Sequence, residues 1–134
     1  MKIRNYIPSD YFQVSKLWKN ANTFDKSYDK KSKLDSKKPK GSIIVAEEKG
    51  KIVGTILYTW DSWDSSIYRF VVDPKFQGHG IGIKLFKEAE KRLKNHGADV
   101  SSLRTDVKNI KAQKLFRKNG YKKVGHYFDF EKKL

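Results

Sequence analysis

The sequence predicts an α+β domain built on a mixed, mostly antiparallel central sheet flanked by helices. Three observations carry the prediction. Residues 42–72 hold three apolar, strand-like runs separated by turn chemistry. Apolar residues recur at helical spacing after Asp10, after Gly82 and after Asn109. One stretch, from Val71 to Phe86, passes from a strand through a sharp stop at Asp73-Pro74 and a glycine-rich turn into a helix. A chain of 134 residues suits a single domain spanning 1–134.

Taken in order, residues 2–6 form a short opening strand. Pro8-Ser9-Asp10 starts a helix, with Ser9 or Asp10 able to cap its free N–H groups. Val14, Leu17, Trp18 and Ala21 give that helix one apolar face, and Trp18 reads as core rather than as a ligand contact. Residues 22–40 are lysine-rich, with few apolar side chains (Phe24, Tyr28, Leu34), and end at Pro39-Lys40-Gly41. Two readings fit them: a solvated connection around a weak second helix, or a substrate-facing flap. Residues 42–47 and 51–60 are strands joined by Glu48-Lys49-Gly50-Lys51. A loop over residues 60–65 leads to a third strand, 66–72, completing an antiparallel meander. The next helix carries Leu85, Phe86, Ala89 and Leu93 inward and ends where Gly97 suits a left-handed terminator. Residues 99–107 read as a strand and 109–119 as a helix with Ala112, Leu115 and Phe116 inward. Residues 121–124 and 127–134 read as closing strands.

Composition narrows the function. The chain has no cysteine, which excludes disulfides, thiolate metal sites and a cysteine nucleophile. No apolar run reaches the roughly 18 residues of a membrane span, and the start lacks the apolar core of a signal peptide, so a cytoplasmic protein is the expectation. His96 and His126 lack ligand spacing, and no metal site is expected. The net charge is +15. Residues 1–67 carry 13 Lys+Arg against 8 Asp+Glu, the remainder 17 against 7. The excess therefore lies with the glycine turn, as an anionic ligand would favour, although a lysine-rich solvated surface accounts for it equally. The basic residues are dispersed over helices and leave the glycine turn unexplained as a nucleic-acid contact, which argues against a nucleic-acid partner.

Gly78, Gly80 and Gly82 alternate through that turn. Without Cβ atoms the backbone can approach a ligand and take positive φ. Free N–H groups at a helix start, reinforced by the helix dipole, make a site for phosphate or pyrophosphate. No acidic residue lies between Lys75 and Lys84 to repel an anion. His79 belongs with this turn rather than with acid–base chemistry. The P-loop and dinucleotide patterns both fail. The pattern that fits is Q-x-x-G-x-G, from Gln77 through Gly80 to Gly82.

That stretch resembles the acetyl-CoA loop of the GNAT superfamily of N-acyltransferases. A second motif, Asn109-x-x-Ala112-x-x-Leu115-Phe116-x-x-x-Gly120-Tyr121, resembles the other signature of the same family. The resemblance covers essentially the whole chain. It implies a three-layer fold in which two central strands splay apart and acetyl-CoA lies between them. It implies cofactor contacts at Phe70, Val71 and Val72, at Gln77, Gly78, His79, Gly80, Ile81 and Gly82, and at Asn109, Ala112 and Phe116. Lys75, Lys84 and Lys111 are phosphate partners by charge alone.

The implied function is transfer of an acetyl group from acetyl-CoA to a primary amine by direct attack in a ternary complex. The alternative is a catalytically weak acyl-CoA-binding regulatory module. Phe116 stands where the family carries a Tyr proposed to protonate the leaving thiolate; Tyr121 and Tyr127 are the hydroxyls at hand. The position near Arg104 that is a Glu in some members is not acidic, which leaves Asp106 as candidate base. Asp61 and Asp64 are candidates to bind a cationic acceptor, or else turn residues. The family also leaves a homodimer open, paired through the 60–65 loop or the final strand.

Overall fold

A computed structural model describes residues 1–134. The chain divides into two compact units, Met1–Arg104 and Thr105–Leu134. The first holds β1 (Lys2–Asn5), α1 (Tyr11–Asn20), the short α2 (Lys31–Asp35), β2 (Ile43–Glu48), β3 (Lys51–Trp60), β4 (Ser65–Val72) and α3 (Ile81–His96). Its strands form one antiparallel sheet in the order β1-β2-β3-β4. The second unit holds α4 (Ile110–Lys118).

β3 is the middle of the sheet, and residues 52–58 are all buried. Adjacent residues of a strand point to opposite faces. Gly54 faces α3, where a Cβ would lie 3.1 Å from Leu85 and 3.3 Å from Ile81. Thr55 faces α1, where its hydroxyl accepts the Trp18 indole N–H at 2.8 Å. The two long helices therefore cover opposite faces of the sheet, as the sequence predicts. Val14, Leu17 and Trp18 of α1 join Ile43, Val45, Ile52 and Leu57 in one core. Removing each such side chain from water is worth about 1.5–3 kcal/mol.

Arg4 ties β1 to the start of α1. Its guanidinium donates to both oxygens of Asp10 (2.8 and 3.0 Å) and to Glu47 (2.8 Å). Burial alone would raise the Asp10 carboxyl. The Arg4 hydrogen bonds, the Ile7 N–H and the Arg4 charge outweigh it and hold the group below the usual carboxylate range. α3 ends at Gly97 with φ of 106°, the left-handed terminator expected there.

Two expectations are corrected. Residues 99–107 do not form a strand; only Ser102 pairs, in a single parallel bridge with Ser66. Residues 121–124 and 127–134 carry no strand at all. Alternating side chains make a segment competent to be a strand, but a strand exists only as one side of a ladder. Asp99, Ser101, Ser102, Arg104 and Asp106 dilute the first stretch. The second lies in a unit whose one regular element is α4, so it has no strand there to pair with.

Candidate functional site

β4 is an end strand of the sheet, and its two edges differ. One edge pairs with β3. The other receives Ile67 N–H to Ser102 O (2.8 Å) and Ser102 N–H to Ser65 O (3.1 Å), and past Ile67 no ladder continues. Phe70, Val71 and Val72 thus lie on a strand with an open edge. β4 then runs into a turn whose first residue, Asp73, accepts the Lys75 N–H at 2.9 Å. Gly78 and Gly80 both have left-handed φ, 84° and 78°. Gly80 is the N-cap of α3, and no side chain caps that helix. The N–H groups of its first turn are therefore left for another acceptor. A Cβ on Gly78 or Gly80 would meet nothing within 4 Å. Gly82 differs: a Cβ there would come within 3.0 Å of the Phe70 ring, which itself packs 4.4 Å from Phe86. Phe70 supports the turn from below, and the Gln77 amide donates back to Val72 O at 3.1 Å. His79 is exposed beside it. The whole is an uncapped, basic helix start at the end of an open strand edge, suited to an anion.

Sequence reasoning missed the pair that shapes β4. Arg69 sits at a bulge in the β3–β4 pairing with φ of 49°. A non-glycine residue in that region needs something to hold it. Arg69 is held from both ends. Its carbonyl accepts the Thr55 hydroxyl at 2.9 Å. Its guanidinium meets Asp29 at 2.9 Å and lies 5.7 Å from the centre of the Trp18 ring. Asp29 is 3% exposed and also accepts the Asp25 N–H at 2.8 Å. The 22–40 segment is thus docked onto β4 through a buried carboxylate, and Tyr11 adds a hydroxyl bond to Asp29 O at 3.0 Å. The segment does contain a weak second helix, the five-residue α2, but it is not merely a solvated connection. The available signal was Arg69 itself, a charge inside the apolar run Ile67-Tyr68-Arg69-Phe70-Val71, which demands a partner.

Asp61 and Asp64 part company. Asp61 Oδ1 accepts the N–H groups of Trp63 (2.9 Å) and Asp64 (2.6 Å), so its carboxylate builds the 60–65 turn. Those backbone bonds hold its carboxyl below the usual range. Asp64 instead takes the Ser66 hydroxyl at 3.1 and 3.2 Å and lines a cavity of about 320 Å³. Trp63, Ser66, Tyr68, Ser102 and Arg104 also line it. His96 lies elsewhere, at the end of α3, its ring 3.3 Å from the Tyr58 hydroxyl and stacked on Trp60.

In the second unit, Asn109 caps α4: its Oδ1 accepts the Ala112 N–H at 3.0 Å. Ala112 and Phe116 are half-buried on that helix. Asp106 Oδ1 accepts the Lys108 N–H at 2.8 Å, so its carboxylate serves the turn before α4. Tyr127 is exposed in the stretch without secondary structure.

A family model described as "Acetyltransferase (GNAT) family" matches residues 5–121. The chain is 32% identical over 95 residues to the acetyltransferase plu1384 of Photorhabdus laumondii. That match covers 69% of this chain and 66% of the relative, just under two thirds of its length. Among solved structures, Ard1 from Thermoplasma volcanium superposes with a TM-score of 0.80 at 21% identity, covering 92% of this chain and 84% of the other. The paiA N-acetyltransferase from Thermoplasma acidophilum, in complex with coenzyme A, superposes with a TM-score of 0.74 at 22% identity, covering 90% and 89%.

Proposed function

The chain belongs to the acetyltransferase (GNAT) family, and from that premise we propose that it moves an acetyl group from acetyl-CoA to a primary amine by direct attack in a ternary complex. The observation that carries this reading is the uncapped start of α3, with left-handed Gly80 at its N-cap, at the end of an open-edged β4. The first-turn N–H groups of α3 would hold the pyrophosphate. The open edge of β4 beyond Ile67 would hold the amide-bearing arm, as a strand edge holds an extended chain. Asn109, Ala112 and Phe116 are the residues of α4 we assign to the arm and its thioester end.

Acetyl-CoA supplies an acyl group already activated as a thioester. The protein's contribution is alignment, loss of the ammonium proton and stabilisation of developing charge. In the balanced step a C–N bond forms, the C–S bond breaks, the amine proton goes to solvent and the thiolate leaves. Phe116 has no proton to give, so its role is apolar contact. Phe116→Tyr then leaves the chemical step unchanged or raises it by at most about tenfold, because general-acid help is limited for a good leaving group. Single-turnover rates check this. A fall of several orders of magnitude would show that the ring is needed as an apolar wall.

A panel of primary amines assayed for thiol release from acetyl-CoA tests the proposal, and turnover with at least one of them is expected. Phe116 also favours a second reading, an acyl-CoA-binding module with little turnover. Tight acetyl-CoA binding without thiol release across the panel would select that reading; absence of binding would overturn both.

A further inference from the structure

β4 holds one residue more than the stretch of β3 it pairs with. Leu57 stands opposite Tyr68 and Thr55 opposite Val71, so Ile56 alone faces both Arg69 and Phe70. An extra residue of this kind shifts everything after it by one position. Backbone groups along a strand alternate between its two edges. Ile67 N–H points outward, to Ser102 O, whereas Asp73 N–H points inward, to Val53 O at 2.8 Å. An even number of steps separates positions 67 and 73, so a regular strand would turn both the same way. Counting back from Asp73, Val71 turns inward, and Phe70 and Val72 turn to the open edge. Val72 O accordingly accepts the Gln77 amide rather than a group of β3. Without the extra residue, Phe70 and Val72 would turn inward, and Arg69 and Val71 outward.

Side chains follow the same shift. Val71 packs in the core with Val14, Leu17 and Trp18 of α1. Phe70 lies on the α3 side, 4.4 Å from Phe86 and beneath Gly82. In the regular register the two would exchange faces, and the glycine turn would lose the ring that supports it.

The backbone of Arg69 does not hold this arrangement by its own preference. Its φ of 49° disfavours any residue with a Cβ, but not glycine. The hold comes from outside β4. Arg69 Nε lies 3.1 Å and a terminal nitrogen 2.9 Å from Asp29 Oδ2, while the Thr55 hydroxyl donates to the Arg69 carbonyl. Asp29 belongs to the 22–40 segment, is 3% exposed and is fixed there by the Asp25 N–H.

We infer that Asp29 is a positioning residue for acetyl-CoA: through Arg69 it holds the bulge that turns the Phe70 and Val72 backbone to the open edge of β4, so the 22–40 segment sets the affinity for the amide-bearing arm. The inference rests on the acetyl-transfer reading and concerns the arm, not the pyrophosphate.

Calorimetry on the full chain tests it by comparing acetyl-CoA with ADP, which carries a pyrophosphate but no arm. Asp29→Asn is expected to weaken acetyl-CoA about tenfold and to leave ADP within about twofold, because only the strand edge is disturbed. Adding Arg69→Gly should restore acetyl-CoA affinity, since glycine takes this φ unaided. Adding Arg69→Ala instead should not. The two double variants lose the same charges and leave no buried charge unpaired, so they decide the matter even where Asp29→Asn alone folds poorly. Native acetyl-CoA affinity in Asp29→Asn, equal affinity in the two double variants, or equal losses for acetyl-CoA and ADP would overturn the inference and leave acetyl transfer standing. An unaltered chain that binds neither ligand overturns both.

Discussion

Acetyl-CoA affinity falls on the order of a hundredfold in Gly80→Asp, with the fold intact. Two effects add. Residue 80 has φ of 78° at the N-cap of α3, and any residue with a Cβ is strained there by about 1–2 kcal/mol. The new carboxylate also stands beside the N–H groups that we assign to the pyrophosphate, where it would compete for them and repel the anion. A Cβ at this position meets nothing within 4 Å, so no packing is lost. Gly82 would be a poor choice, because its Cβ would press on Phe70 at 3.0 Å and confuse binding with folding. Gly80→Ala separates the two effects: it keeps the strain, adds no charge and should lose only about tenfold. Calorimetric titration reads both variants. Native affinity in Gly80→Asp would place the cofactor elsewhere.

Asp29→Ala costs about 2–3 kcal/mol of stability, somewhat below the 3–5 kcal/mol of a fully buried broken pair. The discount follows from Arg69, whose side chain is 20% exposed and can reach water once orphaned. The loss has three parts: the ion pair, the Asp25 N–H left without its acceptor, and a bulge residue at φ of 49° no longer held by its side chain. Urea unfolding checks the figure. Asp35→Ala is the control, since its bonds to Tyr6 and Lys31 are exposed, and it should cost far less. A loss in Asp29→Ala no greater than in the control would mean that the 22–40 segment does not lean on this pair.

Much of the molecule was legible from short range. The meander of β2, β3 and β4, both long helices and the glycine turn depend on local patterns: alternation, 3.6-residue spacing and the φ that glycine allows. The turn role of Asp61 could be read in the same way, from an Asp two and three residues before the N–H groups it accepts. What failed needed distant partners. The stretch around Ser102 and the closing residues have strand-like letters, but a ladder is decided by the neighbour a strand meets, not by its own sequence. The Asp29–Arg69 pair lies 40 residues apart in the chain: Arg69 asks for a partner from inside its apolar run, but nothing local says that the partner is Asp29. The cavity was half visible: Asp64 stood out beside its turn, whereas Arg104 gave no sign that it would line the same space.

The network through Arg69 has a consequence for descent. Trp18, Asp29, Thr55 and Arg69 come from α1, the 22–40 segment, β3 and β4, and each satisfies another's polar group. Loss of any one strands a partner that is buried or strained, so single changes pass through a penalised intermediate. A lineage leaving this arrangement would have to exchange the members together. Replacing Arg69 by glycine, for instance, would ease the backbone at the bulge and at the same stroke require an uncharged residue at position 29.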